Sequence, residues 1–148
     1  MICRVLLEKD LPQVAELERL CFSAPWSEAA LSVLTGEGAF GLVCLDECDQ
    51  VLGYVGVLTV LDEGQITNLA THPAHRRRGV ATELLRVLSE LGRERGIRTL
   101  SLEVRESNAP AVLLYERHGF FVAGKRPNFY TAPREAALVM LCNLTNEG

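Results

Sequence analysis

The stretch Ile66-Thr67-Asn68-Leu69-Ala70-Thr71-His72-Pro73, followed by Arg76-Arg77-Arg78-Gly79-Val80-Ala81-Thr82, decides how this chain folds. Its first half is typical of a strand, and its second half of an arginine-rich loop that leads into a helix. Leucines recur at helical spacing after the loop, at Leu84, Leu85, Leu88 and Leu91. The pattern therefore predicts a strand, a loop and an amphipathic helix in direct succession.

The start of this helix is a candidate anion site. The first amide N–H groups of a helix lack intrahelical acceptors, and the helix dipole attracts phosphate there. Gly79 and Ala81 let a large anion approach the backbone, and the three arginines at 76–78 supply permanent charge. Neither Gly-Lys-Ser/Thr nor Gly-x-Gly-x-x-Gly occurs here, which favours pyrophosphate held by backbone and arginine. On this motif alone, a merely solvated turn is about equally compatible.

Composition indicates one compact domain over residues 1–148. The chain has 148 residues and 48% hydrophobic content, enough for one core and too little for two ordinary domains. No apolar run approaches the length of a membrane span, and Arg4 with Glu8-Lys9-Asp10 does not suit a signal peptide. We therefore expect a cytoplasmic protein without a membrane partner. The oligomeric state stays open, and a monomer is compatible.

Charge and cysteine usage exclude further classes. A net charge of −4 argues against direct nucleic-acid binding, although the arginines at 76–78 form one basic spot. The cysteines are odd in number and lack zinc-ligand spacing, so we expect reduced thiols and no metal site. They lie at Cys3, Cys21, Cys44, Cys48 and Cys142.

The remaining pattern alternates helices and strands without repeats or a linker. Asp10 is expected to cap a helix through about Leu20, and Ser27 a second helix from Glu28. Residues 40–45, 51–61 and 64–70 predict an antiparallel meander. Further helices are predicted at 79–95 and 109–118, further strands at 99–104, 120–122 and 137–142, and a hairpin loop at 127–130. The predicted class is a mixed α/β fold around one sheet.

Three side chains after the central helix are candidates for chemistry. Glu103 lies on the face of its strand opposite the apolar residues. The commonest role of such a residue would be a solvent-facing carboxylate paired to Arg105. Tyr115 lies on a predicted helix, where tyrosine is most often a core or boundary aromatic. Asn108 stands where it would cap that helix.

Taken together, these motifs resemble the GNAT superfamily of acetyl-CoA-dependent N-acetyltransferases. The hallmark of that family is Arg/Gln-x-x-Gly-x-Gly/Ala at the start of its central helix, matched by Arg76, Gly79 and Ala81. The chain is also similar to its RimI type, which acetylates the terminal alanine of a small-subunit ribosomal protein. That similarity covers nearly the whole chain. Its motifs, in order, are Ala-Pro-Trp-Ser at 24–27, Asn-Leu-Ala at 68–70, Leu-Glu-Val-Arg-Glu-Ser-Asn at 102–108, Leu-Tyr-Glu at 114–116 and Gly-Phe at 119–120.

The resemblance implies a single-domain fold whose mixed central sheet, flanked by helices, contains two parallel strands that splay apart. In the family the pantetheine arm of acetyl-CoA enters that gap, here between 68–70 and 102–104, much as an added strand would. The residues that this implies for acetyl-CoA binding are Leu69, Ala70, Thr71, Arg76, Arg77, Arg78, Gly79, Val80, Ala81, Thr82 and Asn108.

The resemblance also implies chemical roles. Glu103 matches the general base and Tyr115 the acid that protonates the leaving thiolate, while Trp26 and Tyr130 belong to loops that enclose the acceptor peptide. The segment at 131–136 departs in length and composition from the family's usual Gly-Glu-Asp-Ala. We expect acetyl transfer to an N-terminal alanine of a ribosomal or other protein, by direct attack in a ternary complex. The alternatives are a lysine or small-molecule acetyltransferase and a non-catalytic acyl-CoA-binding module.

Overall fold

A computed structural model describes residues 1–144, and in it the chain forms a seven-stranded sheet carrying helices on both faces. The strands are β1 (Ile2–Val5), β2 (Ala39–Leu45), β3 (Val51–Val60), β4 (Glu63–Thr71), β5 (Thr99–Arg105), β6 (Phe121–Thr131) and β7 (Arg134–Asn143). The helices are α1 (Leu11–Cys21), α2 (Glu28–Leu31), α3 (Val80–Glu94) and α4 (Ala109–Arg117). The sheet order is β1-β2-β3-β4-β5-β7-β6. The predicted mixed α/β fold class is confirmed.

The meander predicted from the hydrophobic strands is present as β2, β3 and β4, which pair antiparallel in succession. The short edge strand β1, which the sequence pattern did not indicate, adds to β2. Leu84, Leu85 and Leu88 of α3 are buried in one core cluster, whereas Val14 and Leu17 of α1 belong to a second. The sheet is therefore covered by α3 on one side and by α1 on the other.

The splay that the resemblance implied lies between β4 and β5. These two strands are parallel, are joined through α3, and pair only where 63–65 meets 99–101. Beyond that point β4 pairs only with β3, and β5 only with β7, within residues 1–144. A bulge in β4 at Thr67, where the register with β3 shifts, coincides with the start of the gap. The sheet thus opens beside residues 68–71.

Two of the three predicted helix caps are confirmed. The Ser27 hydroxyl accepts a hydrogen bond from the Ala30 N–H at 3.1 Å, and the Asn108 side chain caps α4. The predicted Asp10 cap is wrong, although Asp10 immediately precedes α1. A 3-10 turn runs directly into the helix, so the Asp10 backbone is already helical, and its carboxylate instead accepts from the Arg4 guanidinium and the Leu7 N–H.

The C-terminal hairpin corrects another prediction. The strand expected at 120–122 extends to Thr131, and the loop expected at 127–130 is part of β6, whose turn to β7 lies at 132–133. The turn-forming residues Pro127 and Asn128 produce a bulge instead, because Tyr130 resumes pairing with Glu135. β6 is an edge strand, where a proline removes no ladder hydrogen bond.

None of the helices within residues 1–144 is long and apolar enough to cross a membrane. The same range contains no group of three His, Cys, Asp or Glu side chains placed to hold a metal ion. The five cysteines carry free thiols.

Candidate active site

Two adjoining cavities occupy the gap between β4 and β5. The larger has a volume of about 600 Å3 and extends to the start of α3, and the smaller, of about 430 Å3, contains Glu103 and Tyr115. The residues that line both are Cys21, Phe22, Leu69, Asn108, Ala111 and Leu114. A long ligand can therefore extend from the arginine loop to the two candidate catalytic side chains.

The larger cavity ends at the N-terminus of α3. The Gly79 carbonyl accepts the first bond of the helix, from the Glu83 N–H at 2.9 Å, and no side chain within residues 1–144 caps this end. Gly79 has a φ of +81°, and a Cβ placed there would meet no atom within 4 Å. The N–H groups at 80–82 thus precede the helix ladder and border open space, as a phosphate site requires.

The three arginines of the loop are not equivalent. Arg76 and Arg77 line the larger cavity, and Arg77 has the left-handed φ of 67°, which is uncommon outside glycine. Arg78 does not line it, because its guanidinium lies against the His75 ring, 3.2 Å from Nδ1. Because Arg78 does not contact the cavity, its role in binding the cofactor stays a prediction.

The exposed edge of β4 offers main-chain groups to a ligand. The His72 N–H donates to the Leu52 carbonyl at 2.8 Å, which fixes the alternation of the strand. The main-chain groups of Ala70 consequently face β3, while those of Leu69 and Thr71 face the gap. Across the gap, the Asn108 side-chain oxygen accepts from the Ala111 N–H at 3.3 Å, which leaves its NH2 group available to a ligand.

Glu103 lies in the smaller cavity, with its carboxylate mostly covered. It accepts hydrogen bonds from Arg126 Nη1 at 2.8 Å and from Gln65 Nε2 at 3.4 Å. The pairing with Arg105 considered from the sequence is wrong, because Arg105 forms its ion pair with Glu135 at 3.2 Å. Glu103 therefore combines a fixed position with an opening toward the cavity.

Tyr115 lines the smaller cavity from α4 and is 9% exposed. Its ring packs against Phe120, with centroids 5.6 Å apart, and no residue in 1–144 forms a hydrogen bond with its hydroxyl. Burial, reinforced by the neighbouring Tyr130, raises the pKa of Tyr115 to about 12. The phenol is consequently protonated throughout the neutral pH range and can donate its proton.

Tyr130 also reaches the smaller cavity. The Arg105 guanidinium lies 4.3 Å from the centre of its ring and donates to the Pro133 carbonyl at 2.9 Å. Arg105 thereby anchors both the ring and the turn of the hairpin. This arginine accommodates the 131–136 segment that departs from the family pattern.

Trp26 lines neither cavity and packs against the second core cluster, so its contact with an acceptor stays a prediction. Phe22 from the same loop lines both cavities, and the sequence pattern did not single it out. Glu18, which is fully buried, was also missed. The sequence feature that could have indicated a buried Glu18 is its helical spacing from Leu11 and Val14, which places it on the apolar face of α1.

The model of the acetyltransferase (GNAT) family matches residues 11–120. The chain belongs to this family. It is 37% identical over 133 residues to the ribosomal protein bS18-alanine N-acetyltransferase of Escherichia coli strain K12, covering 88% of this chain and 89% of that one. The Haemophilus influenzae protein of the same name is 38% identical over 138 residues, covering 91% and 93%.

The fold comparison agrees. The crystal structure of the ribosomal-protein-S18-alanine N-acetyltransferase from Escherichia coli superimposes with a TM-score of 0.90 at 33% identity, covering 99% of this chain and 97% of that chain. The predicted family and the predicted acetyl-CoA-dependent N-acetyltransferase class are therefore confirmed.

Proposed function

We propose that this chain acetylates the N-terminal alanine of ribosomal protein bS18, by direct attack of the α-amine on acetyl-CoA in a ternary complex. The observation that supports this proposal best is the pair of adjoining cavities, which connects the uncapped N-terminus of α3 to Glu103 and Tyr115. The names of relatives that are 37% and 38% identical over most of the chain support the choice of acceptor. We also propose a cytoplasmic location, where such an acceptor would be made.

The residues of the larger cavity fit acetyl-CoA, which supplies an activated acetyl thioester. The N–H groups at 80–82, with Arg76 and Arg77, would hold its pyrophosphate. The gap-facing main chains of Leu69 and Thr71 would pair with its pantetheine arm, joined by the Asn108 NH2 group. The Leu69 N–H can then stabilise the negative charge that develops on the acetyl oxygen.

Glu103 would remove the proton from the acceptor amine, directly or through a water. An α-amine has a pKa of about 8, so roughly a tenth of it is unprotonated at pH 7. The base therefore has a modest task, within reach of a carboxylate held beside the cavity. Arg126 and Gln65 keep the carboxylate in place for that transfer.

Tyr115 would return a proton to the departing thiolate. From a pKa of about 12 to an ordinary thiol at about 8.5, the transfer is uphill by roughly 5 kcal/mol. A thiolate buried beside Tyr115 would also be destabilised, which raises the pKa of the thiol and narrows this difference. Proton transfer from the Tyr115 hydroxyl to the thiolate therefore depends on the burial of both groups.

Acceptor choice gives the direct test of this function. The protein is incubated with acetyl-CoA and a peptide that begins Ala-Arg and carries an internal lysine, and mass spectrometry locates the acetyl group. We expect acetylation of the terminal amine, because a lysine amine is scarcer in its free form by about 10²-fold at neutral pH.

The matched control is the same peptide with its N-terminus already acetylated. It should remain unmodified. Equal modification of lysine in the blocked peptide would identify a lysine or general amine acetyltransferase instead. Binding of acetyl-CoA without transfer to any peptide or amine would identify a non-catalytic module.

The raised pKa of Tyr115 predicts an unusual alkaline profile. An acid must be protonated to act, so its activity is present below its pKa and is lost as pH rises through it. With a pKa of about 12 for Tyr115, kcat should hold from pH 8 to pH 10. An ordinary phenol, with a pKa of about 10, would halve kcat by pH 10. Stopped measurements of initial rate, with circular dichroism to confirm folding at each pH, distinguish these results.

A further inference from the structure

Glu18 is a fully buried carboxylate that the proposed chemistry does not use. Its Oε1 accepts from the Trp26 backbone N–H at 2.9 Å, and its Oε2 accepts from the Asn68 side-chain amide at 2.9 Å and from the Tyr54 hydroxyl. No arginine, lysine or histidine within residues 1–144 forms an ion pair with it. A buried carboxylate without a cation is costly unless its hydrogen bonds are satisfied.

The three donors come from separate parts of the fold. Trp26 belongs to the loop at 22–27 between α1 and α2, Tyr54 to β3, and Asn68 to β4 immediately after the bulge. Asn68 lines the smaller cavity and directly precedes Leu69, whose main chain faces the gap. Glu18 therefore connects the loop at 22–27 to the strand that opens the sheet.

One residue of the connected loop forms part of the wall of both cavities. Phe22 lies at its start and lines each of them. A second tie joins the end of α1 to β4, because the Cys21 thiol donates to the Thr71 carbonyl at 3.3 Å. The hydrogen bond from the Trp26 N–H to Glu18 reaches further along the loop, so together with the packing of Trp26 it holds residues 22–27 near β4.

We propose that Glu18 is a positioning residue, which holds the loop at 22–27 against β4 and thereby fixes the width of the acceptor opening. This proposal rests on the proposed function, because it assigns the opening beside Phe22 to the acceptor peptide. In the proposed function, acetyl-CoA would be held mainly from the far end, at 76–82 and at the gap-facing edge of β4. The acceptor is therefore expected to depend on Glu18 more strongly than acetyl-CoA does.

Glu18→Gln is the first test, because glutamine preserves the shape and can still accept from Trp26. At the second position its NH2 group faces the Asn68 amide and the Tyr54 hydroxyl. The hydroxyl can reverse and accept, whereas the Asn68 NH2 group cannot, so one buried hydrogen bond is lost and two donors oppose each other. We expect the KM for an alanine peptide to rise about tenfold, while the Kd for acetyl-CoA changes by less than about twofold.

The matched control is Glu16→Gln on the same helix, which removes an exposed ion pair with Arg19 and should change neither constant. A double variant that exchanges the carboxylate and the amide should rescue the loss. Glu18→Gln combined with Asn68→Asp again places an NH2 donor opposite a carboxylate. The double variant should recover most of the peptide KM. Tyr54→Phe removes one hydrogen-bond donor to Glu18 from outside both cavities and should raise the peptide KM severalfold. This variant tests the proposal even if Glu18→Gln does not fold.

An unchanged peptide KM in folded Glu18→Gln and Tyr54→Phe would overturn the proposal. So would an equal loss of acetyl-CoA affinity, which indicates general damage, or a double variant no better than the single one. The parent enzyme separates this result from the proposed function. If the parent uses another amine, the bS18 assignment fails, and the same constants measured with that amine decide the role of Glu18.

Discussion

Gly79→Glu is expected to weaken acetyl-CoA binding by at least about 10²-fold, because it places a carboxylate where the phosphates must lie. The position is open, since a Cβ there meets nothing within 4 Å, so the new side chain reaches the anion site without a clash against the protein. An acidic residue at the start of a helix also favours the helix dipole, which helps the variant to fold. Calorimetric titration with acetyl-CoA measures the effect.

Gly96→Glu is the matched control for the backbone strain of this substitution. Gly96 has a φ of +80°, against +81° for Gly79, and a Cβ there also meets nothing within 4 Å. Both variants should lose about 1 to 2 kcal/mol of stability, since each forces a side chain into the left-handed region. Only Gly79→Glu should lose affinity. Normal binding by a folded Gly79→Glu variant, or an equal loss in Gly96→Glu, would remove the phosphate site at this helix.

The fold was predictable where one periodic pattern dominates. The leucines after the arginine loop gave α3, whereas the parallel direction of the strands on either side of it, β4 and β5, was implied only by the family resemblance. The edge strand β1 was not predictable in the same way, because four partly exposed residues carry little pattern. At 127–130, local turn chemistry indicated a loop, whereas pairing of the flanking Arg126 and Tyr130 with β7 made the segment a bulge within the strand.

The candidate site divides in a similar way. Residues with a local motif, such as Gly79 and Asn108, lie where the sequence predicted them. Glu18 could not be placed from the sequence, because its three partners lie 8, 36 and 50 residues away in the chain. The difference among the three arginines was equally hidden, since one short contact to His75 turns Arg78 away from the cavity.

Glu103→Gln is expected to lower kcat by about 10²-fold, the usual contribution of a general base. The loss should be greatest at low pH, where the acceptor amine is mainly protonated and the base is most needed. Glutamine keeps the shape and can still accept from Arg126, so the site should remain assembled. The pH–rate profile of the alanine peptide is the measurement. A variant within about twofold of the parent at every pH would show that Glu103 is not the base.

Glu106→Gln supplies the matched control, because Glu106 is an exposed neighbour paired to Lys125 at 2.6 Å and lines neither cavity. Its kcat should equal that of the parent.

Tyr115→Phe tests the second role, since it removes only a hydroxyl without a hydrogen bond within residues 1–144 and keeps the packing against Phe120. Its kcat should fall by a similar factor with unchanged acetyl-CoA affinity and without the low-pH bias of Glu103→Gln. Glu103 is proposed to take a proton from the acceptor amine, and Tyr115 to give one to the thiolate. If the two variants showed the same pH dependence, this assignment of a separate base and acid would be contradicted.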